Sequence, residues 1–114
     1  MKYTESQINK ISKDLQNKIK GKVLSDPFSR GRYSTDSSLY QITPLGAVLP
    51  KDQNDVLNLM EYSQKNSIPL LARGGGSSQC GQTVNEAIVL DYSLHQNKIL
   101  ELNLEEKYVW VQPG

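Results

Sequence analysis

Residues 69–82 read PLLARGGGSSQCGQ, and the rest of the chain is arranged around them. Four of the chain's 8 glycines fall between positions 74 and 81, with an apolar run before them and a second one at residues 87–90. This pattern predicts a strand that enters a loop and a strand that leaves it. Glycines permit positive φ angles and let neighbouring backbone N–H groups point at one centre. The loop is therefore a candidate site for an anion, most often phosphate.

Two familiar phosphate-binding motifs do not fit this loop. A Walker loop needs Lys and then Ser or Thr after its second glycine, whereas Gln82 and Thr83 follow Gly81. A Rossmann fingerprint needs a third glycine opening a helix, but Gln79 stands at that position and the residues beyond read as strand. A tight glycine–serine turn between two strands is the structural alternative. The arginine before the glycines and the two hydroxyls after them favour ligand binding.

Length and composition limit the class of protein. The chain has 114 residues, so it forms one domain at most. Its 13 basic and 12 acidic side chains give a net charge of +1, which favours neither nucleic acid nor an anionic membrane as a partner. Cys80 and His95 are the only cysteine and histidine, which excludes an internal disulfide and a cysteine-rich metal site. We expect no metal ligands here.

Targeting signals are not apparent in the sequence. The N-terminus turns polar at once, and no apolar run approaches the roughly 20 residues that a membrane helix needs. We therefore expect a cytoplasmic protein without a transmembrane segment.

An amphipathic helix is predicted over residues 5–20. Its apolar residues recur at steps of three and four: Ile8, Ile11, Leu15 and Ile19. Thr4 and Gln7 have the spacing of a capping box, and Gly21 is placed to end the helix. The lysines at positions 13, 18, 20 and 22 are interpreted as a solvated face. A short strand is expected at residues 22–25.

Residues 26–40 are predicted to be irregular and polar. Their charged and aromatic members are Arg30, Arg32, Tyr33, Asp36 and Tyr40. Long loops of this kind are uncommon in compact domains and are often functional. Local pairing of these charges and a functional role are both open at this point.

A strand–helix–strand unit follows. Residues 47–49 read as a buried strand, and Asp52 can cap a helix that runs to Lys65. We expect this helix to bury Val56, Leu57, Met60 and Tyr62. A second strand at residues 68–71 completes a βαβ unit, so the two strands should be parallel with a right-handed crossover. The glycine loop then lies at the carboxyl end of a parallel strand, where open α/β sheets usually hold ligands.

The remaining residues read as strands. Residues 86–91 suit a strand buried on both faces, and residues 99–102 and 108–111 suit a half-covered antiparallel hairpin, one face of which needs a cover. The expected fold class is α+β: an N-terminal helix, then a βαβ unit with parallel strands continuing into antiparallel strands. The sequence stops directly after a strand, at Gly114, from which we expect a longer protein.

Four blocks in this order resemble the FAD-linked oxidases of the vanillyl-alcohol oxidase/p-cresol methylhydroxylase superfamily. They are residues 69–82, IVLDYS at 88–93, NKILE at 97–101 and VWVQPG at 109–114, and YSTDSSLY at 33–40 adds to them. The most similar branch is the D-lactate, glycolate and D-2-hydroxyglutarate dehydrogenases. The resemblance implies that residues 26–114 are the first half of an FAD-binding domain, after an N-terminal helix and lead-in at residues 1–25.

The resemblance also implies a role for the loop. The backbone amides of five residues would bind the FAD pyrophosphate: Gly74, Gly75, Gly76, Ser77 and Ser78. Gly81 and Gln82 would complete the loop near the flavin, and Arg73 would either add a cation or pair with a carboxylate. Ser77 stands where members with covalently attached flavin carry histidine, so FAD should be non-covalent.

Catalytic groups are not expected in this stretch. In the family they belong to a later cap domain, and some members continue into an iron–sulfur domain. The parent protein would oxidise a 2-hydroxy acid by hydride transfer to FAD, and the alternative is a free-standing phosphate-binding module. Cys80 is interpreted as a small buried side chain rather than a redox thiol, and His95 as a surface residue.

Overall fold

The computed structural model describes residues 2–114, so Met1, the first residue of the predicted N-terminal unit, lies outside the described part. The helices are α1 (Glu5–Gln16), α2 (Pro27–Arg32) and α3 (Gln53–Asn66). The strands are β1 (Lys22–Leu24), β2 (Gly46–Leu49), β3 (Leu70–Arg73), β4 (Ile88–Asp91), β5 (Ile99–Asn103) and β6 (Tyr108–Val111). The predicted α+β class is confirmed.

One mixed sheet of four strands forms the centre, in the order β1-β2-β4-β3. Both β2 and β3 run parallel to β4, and β1 runs antiparallel to β2. The two strands of the predicted βαβ unit are therefore parallel, but they are not neighbours because β4 lies between them. The carboxyl ends of all three parallel strands meet at one edge, where the glycine loop begins.

The sheet has an apolar face on each side, because side chains alternate along a strand. Val48, Ile88 and Leu90 face the larger cluster, which includes Ile8 and Leu15 of α1 and Leu59 of α3. Ala47 and Val89 face a smaller cluster that is completed by Tyr33. Burial on both faces explains why β4 reads as a continuous apolar run.

Helix α1 is shorter than the spacing predicts. The capping box of Thr4 and Gln7 is present, but the helix ends at Gln16 instead of Lys20. The backbone N–H groups of Lys20 and Gly21 both donate to the Asp55 carboxylate, at 2.8 Å each, so they are not available for further helical turns. Gly21 was expected to be a helix stop. It is instead a point of close approach, since a Cβ there would collide with the Leu49 carbonyl.

Helix α2 falls inside the stretch that was predicted to be irregular. Asp26 is its N-cap and accepts a hydrogen bond from the Ser29 N–H at 2.9 Å, and Pro27 occupies the first turn. Both features are sequence signals of a helix start, and the Asp-Pro pair could have revealed it.

Helix α3 begins at the predicted cap, Asp52, but its buried face is partly different from the prediction. Leu57 and Met60 are each 55% exposed, so their assignment to the inner face was wrong. The buried positions are Asp55, Leu59 and Tyr62, which are spaced by four and three residues. Asp55 turns inward because its carboxylate accepts three backbone N–H groups, and this rotates the apolar stripe.

Strands β5 and β6 form the predicted antiparallel hairpin, a separate two-stranded sheet. One face was predicted to need a cover. Within residues 2–114 the apolar side chains of both strands are exposed; Trp110, for example, is 63% exposed.

Candidate functional site

The glycine loop joins the carboxyl end of β3 to the segment before β4, and two of its glycines have left-handed backbones. The φ angles are +67° at Gly76 and +78° at Gly81, a region that residues with a Cβ rarely adopt. A Cβ on Gly76 would lie 2.5 Å from Nη2 of Arg73, and one on Gly81 would lie 2.7 Å from the Tyr40 ring. The left-handed conformation thus favours glycine at both positions, and the side chains of Arg73 and Tyr40 occupy the space where a Cβ would lie.

The first half of the loop offers unpaired donors. Among the described residues, no hydrogen bond is made by the backbone N–H groups of residues 74–78, although they directly follow a strand of the sheet. A Cβ built on Gly75 meets no atom within 4 Å. This half of the loop therefore combines free donors with open space, which is the arrangement that an anion needs.

Two of the neighbouring carbonyls are occupied. The Arg73 carbonyl accepts the Tyr92 N–H at 3.0 Å, and the Gly76 carbonyl accepts the Ser37 N–H at 3.1 Å. A carbonyl that turned into the loop would repel an anion, whereas a carbonyl held by a donor elsewhere does not. The pattern of hydrogen bonds thus leaves N–H groups, rather than these two carbonyls, available.

The second half of the loop closes on itself. The Ser78 hydroxyl hydrogen-bonds to the Gln82 side chain and accepts the backbone N–H groups of Cys80 and Gln82, at 3.3 and 3.2 Å. The side-chain oxygen of Gln82 is therefore already in use. Cys80 is exposed, so its predicted burial was wrong. Ser77 is exposed in the first half.

Arg73 lies behind the loop. Its guanidinium donates to the Thr83 carbonyl at 3.3 Å and lies 5.4 Å from the centre of the Tyr33 ring. The sequence left open whether Arg73 provides a cation or pairs with a carboxylate. Within residues 2–114 it forms no ion pair with a carboxylate at 4.0 Å or less. Its guanidinium instead packs against Gly76 and supports the loop from behind.

Residues 33–40 also contact the loop; the family resemblance included this segment, but no chemistry was assigned to it. Asp36 accepts the Thr83 hydroxyl at 2.9 Å and the Ser38 N–H at 2.8 Å. Hydrogen bonds from Ser38 and Thr83 lower the pKa of Asp36 to about 2. The available signals were the dense cluster of polar residues and the family resemblance, because spacing along the chain does not reveal a contact between partners 47 residues apart.

Tyr33 anchors the same segment at the edge of the sheet. It is 6% exposed, and its hydroxyl donates to Asp91 at 2.6 Å. Burial, together with this hydrogen bond, raises the pKa of Tyr33 to about 12. Burial also acts to raise the pKa of Asp91, but the hydrogen bonds from Ser93 and Tyr33 outweigh it, so the pKa of Asp91 is lowered overall.

Two further observations concern other kinds of site. Among residues 2–114, no three or more His, Cys, Asp or Glu side chains come together where they could hold a metal ion. No helix in this range has both the length and the apolar character to cross a membrane. His95 is exposed in the turn that follows β4.

Comparison with known families and sequences points to one cofactor. The family model described as "FAD binding domain" matches residues 44–114. A D-2-hydroxyglutarate dehydrogenase from Pseudomonas putida is 41% identical over 99 residues, which cover 84% of this chain and 10% of that protein. The glycolate oxidase subunit GlcD from Bacillus subtilis is 30% identical over 112 residues, which cover 91% of this chain and 24% of that protein. The chain thus spans a tenth to a quarter of the length of these relatives.

Comparison with solved structures agrees with the comparison of sequences. The structure of p-cresol methylhydroxylase with substrate bound superposes with a TM-score of 0.74, over 99% of this chain and 23% of that one. The sequence identity is 18%, so this likeness concerns the fold. It confirms the predicted lobe of the p-cresol methylhydroxylase type.

Proposed function

The chain belongs to the FAD binding domain family, and from this premise we propose that residues 74–78 hold the pyrophosphate of FAD through their backbone amides. The observation that carries the proposal is the run of unpaired N–H groups beside open space at Gly75. Hydrogen bonds from amides to an anionic oxygen are about twice as strong as bonds between neutral groups. A diphosphate offers several anionic oxygens to these amides, so it can form several such hydrogen bonds at once.

The residues present fit this cofactor. Glycines at positions 74–76 leave no side chain at the centre of the loop, and residues 77 and 78 add hydroxyls at its end. Gly81 and Gln82 close the loop on the side that we assign to the flavin. Arg73 contributes positive charge from behind the glycines and fixes Gly76. Ser77 has no imidazole, so we propose that FAD is bound without a covalent link.

The whole protein is proposed to be a flavin-dependent dehydrogenase of D-2-hydroxy acids. This rests on the names of the relatives, a D-2-hydroxyglutarate dehydrogenase and a glycolate oxidase subunit, which share the substrate class of 2-hydroxy acids. When bound, FAD would supply the redox chemistry, as the acceptor of hydride from the carbon that bears the hydroxyl. We assign no catalytic residue to this chain, whose part is to bind and orient the cofactor.

The test is the substitution Gly75→Val in the protein purified in its native form. A Cβ at this position enters the space that we assign to the pyrophosphate, so we expect FAD affinity to fall at least about 100-fold, the equivalent of losing two charge-assisted hydrogen bonds. The thermal midpoint of the apoprotein should change little, because the same Cβ meets no protein atom within 4 Å. FAD content is measured by absorbance and affinity by quenching of flavin fluorescence.

Gly31→Val is the matched control. A Cβ on Gly31 also meets no atom within 4 Å, and this glycine lies in α2, outside the loop. The control should retain wild-type FAD affinity. A wild-type protein that binds no FAD, or a Gly75→Val variant that binds it as tightly as wild type, would refute the proposal.

A further inference from the structure

We propose that residues 33–40 form a brace that holds the glycine loop in its binding conformation before the cofactor arrives, and that the Asp36–Thr83 hydrogen bond is its main fastening. This inference rests on the proposed function of the loop. It assigns a positioning role to two residues that touch the loop rather than the bound anion.

The first fastening is at the end of the loop. Thr83 follows directly after the loop, and its hydroxyl donates to one carboxylate oxygen of Asp36 at 2.9 Å. The other oxygen of Asp36 is held by the Ser38 N–H at 2.8 Å. The Asp36 carboxylate is thus oriented by a hydrogen bond within residues 33–40 and uses its second oxygen to hold Thr83. The Thr83 carbonyl in turn accepts Nη1 of Arg73, so this residue is held on two sides.

The second fastening is at the centre of the loop. The N–H and the hydroxyl of Ser37 both donate to the Gly76 carbonyl, at 3.1 and 3.4 Å. The carbonyl of the left-handed glycine is thereby directed at the brace instead of at the free amides. The Tyr40 ring lies against Gly81 and limits the second left-handed position. The brace therefore contacts the loop at both positive-φ glycines and just beyond its end.

Such contacts matter because the loop is rich in glycine. Gly-rich backbone loses more conformational entropy on ordering than any other kind, and a loop that is ordered only by its ligand binds that ligand more weakly. Residues 74–78 make no hydrogen bonds of their own through their amides, so they depend on neighbouring residues for their conformation. The brace supplies this order in the free protein.

Because Asp36 is charged, an electrostatic role and a bracing role predict opposite changes in FAD affinity when it is replaced by asparagine. A carboxylate close to a bound diphosphate repels it, so an electrostatic role alone predicts that Asp36→Asn tightens FAD binding. A bracing role predicts the opposite, because the amide of asparagine holds the Thr83 hydroxyl less strongly than a carboxylate does. Thr83→Val removes the same hydrogen bond without any change in charge.

The experiment measures the Kd of FAD for the deflavinated native protein by fluorescence quenching, together with thermal unfolding of the apoprotein. We expect Asp36→Asn and Thr83→Val each to weaken binding about 10-fold, and the double variant to be no weaker than about 10-fold, because both substitutions act on the same hydrogen bond. Thr83→Ser keeps the hydroxyl and should restore near wild-type affinity. The weakening should be present at temperatures where every variant is fully folded.

A matched pair on the other face of the sheet controls for general loss of stability. Tyr62 donates its hydroxyl to the Asp14 carboxylate at 3.0 Å, across 48 residues, between α3 and α1. Tyr62→Phe removes, and Asp14→Asn weakens, a hydrogen bond of the same kind, and both should leave the Kd of FAD unchanged.

The outcomes separate this inference from the proposed function. Wild-type binding with unchanged Kd in Asp36→Asn and Thr83→Val overturns the brace and leaves the pyrophosphate site standing. Tighter binding by Asp36→Asn, or equal weakening in the Tyr62→Phe control, also overturns it. If the wild-type protein binds no FAD, the pyrophosphate site and the brace are both overturned.

Discussion

At the scale of single residues, one buried side chain in the described part of the chain has a hydrogen-bond donor without a partner. Among the described residues, Nε2 of Gln96 is the buried side-chain nitrogen without a hydrogen bond. The Gln96 backbone is fully engaged, since its N–H donates to the Tyr92 carbonyl and its carbonyl accepts the Gly114 N–H at 2.7 Å. The side chain therefore fills space in the turn after β4, but its N–H donor has lost its hydrogen bonds to water without gaining one in the protein.

Replacing this side chain should stabilise the protein. Methionine has nearly the same shape as glutamine and no donor to desolvate, so Gln96→Met should raise the free energy of unfolding by about 1–2 kcal/mol. Urea denaturation of the wild type and the variant measures the difference. A loss of stability in the variant would mean that the glutamine amide has a role in the fold that its contacts do not reveal.

At the scale of elements, one carboxylate joins two connections of the fold. Asp55 of α3 is 1% exposed and accepts the N–H groups of Lys20 and Gly21, which lie between α1 and β1. It also accepts the Lys51 N–H at 2.9 Å, just before α3. One side chain thus fixes where α1 ends, where β1 begins and how α3 is rotated about its axis.

Asp55→Asn should therefore be costly. The amide offers one acceptor oxygen in place of two and directs N–H donors at backbone N–H groups, so we expect the free energy of unfolding to fall by about 2–4 kcal/mol. Asp52→Asn is the control, because Asp52 is the N-cap of the same helix and asparagine caps as well as aspartate, with a change within about 0.5 kcal/mol. Equal effects of the two substitutions would contradict the role given to Asp55.

At the scale of the whole molecule, the four-stranded sheet and the hairpin differ in how much they bury. The sheet has an apolar cluster on each face. The hairpin exposes leucines, valines and Trp110 on the described chain, as an apolar surface that usually marks an interaction site. The predicted division into residues 1–25 and 26–114 stays a prediction.

This difference predicts the order of hydrogen exchange in the 114-residue chain. An isolated two-stranded hairpin is marginally stable, so amides of β5 and β6 should exchange with deuterium well before those of β2 and β4. Exchange followed by NMR or mass spectrometry measures the order. Equal protection of hairpin and sheet would show that the hairpin is stabilised by more than its own ladder.

Much of this protein follows from local patterns along the chain. Cap residues and apolar spacing predicted the start of α1, β2 except for its first residue, and the extent of α3 to within one residue, because these signals are local along the chain. The cluster of glycines identified the loop, since the loss of Cβ is a property of each residue alone. The family resemblance supplied the cofactor.

Tertiary packing settled the rest. Sequence spacing could not reveal that β4 inserts between β2 and β3, that Asp55 rotates α3 and shortens α1, or that Asp36 meets Thr83 across 47 residues. These features depend on hydrogen bonds between distant segments, and such bonds form only after the sheet has fixed which backbone groups face one another. Local propensity specifies the elements and the glycine loop, whereas the contacts that hold the loop exist only in the assembled fold.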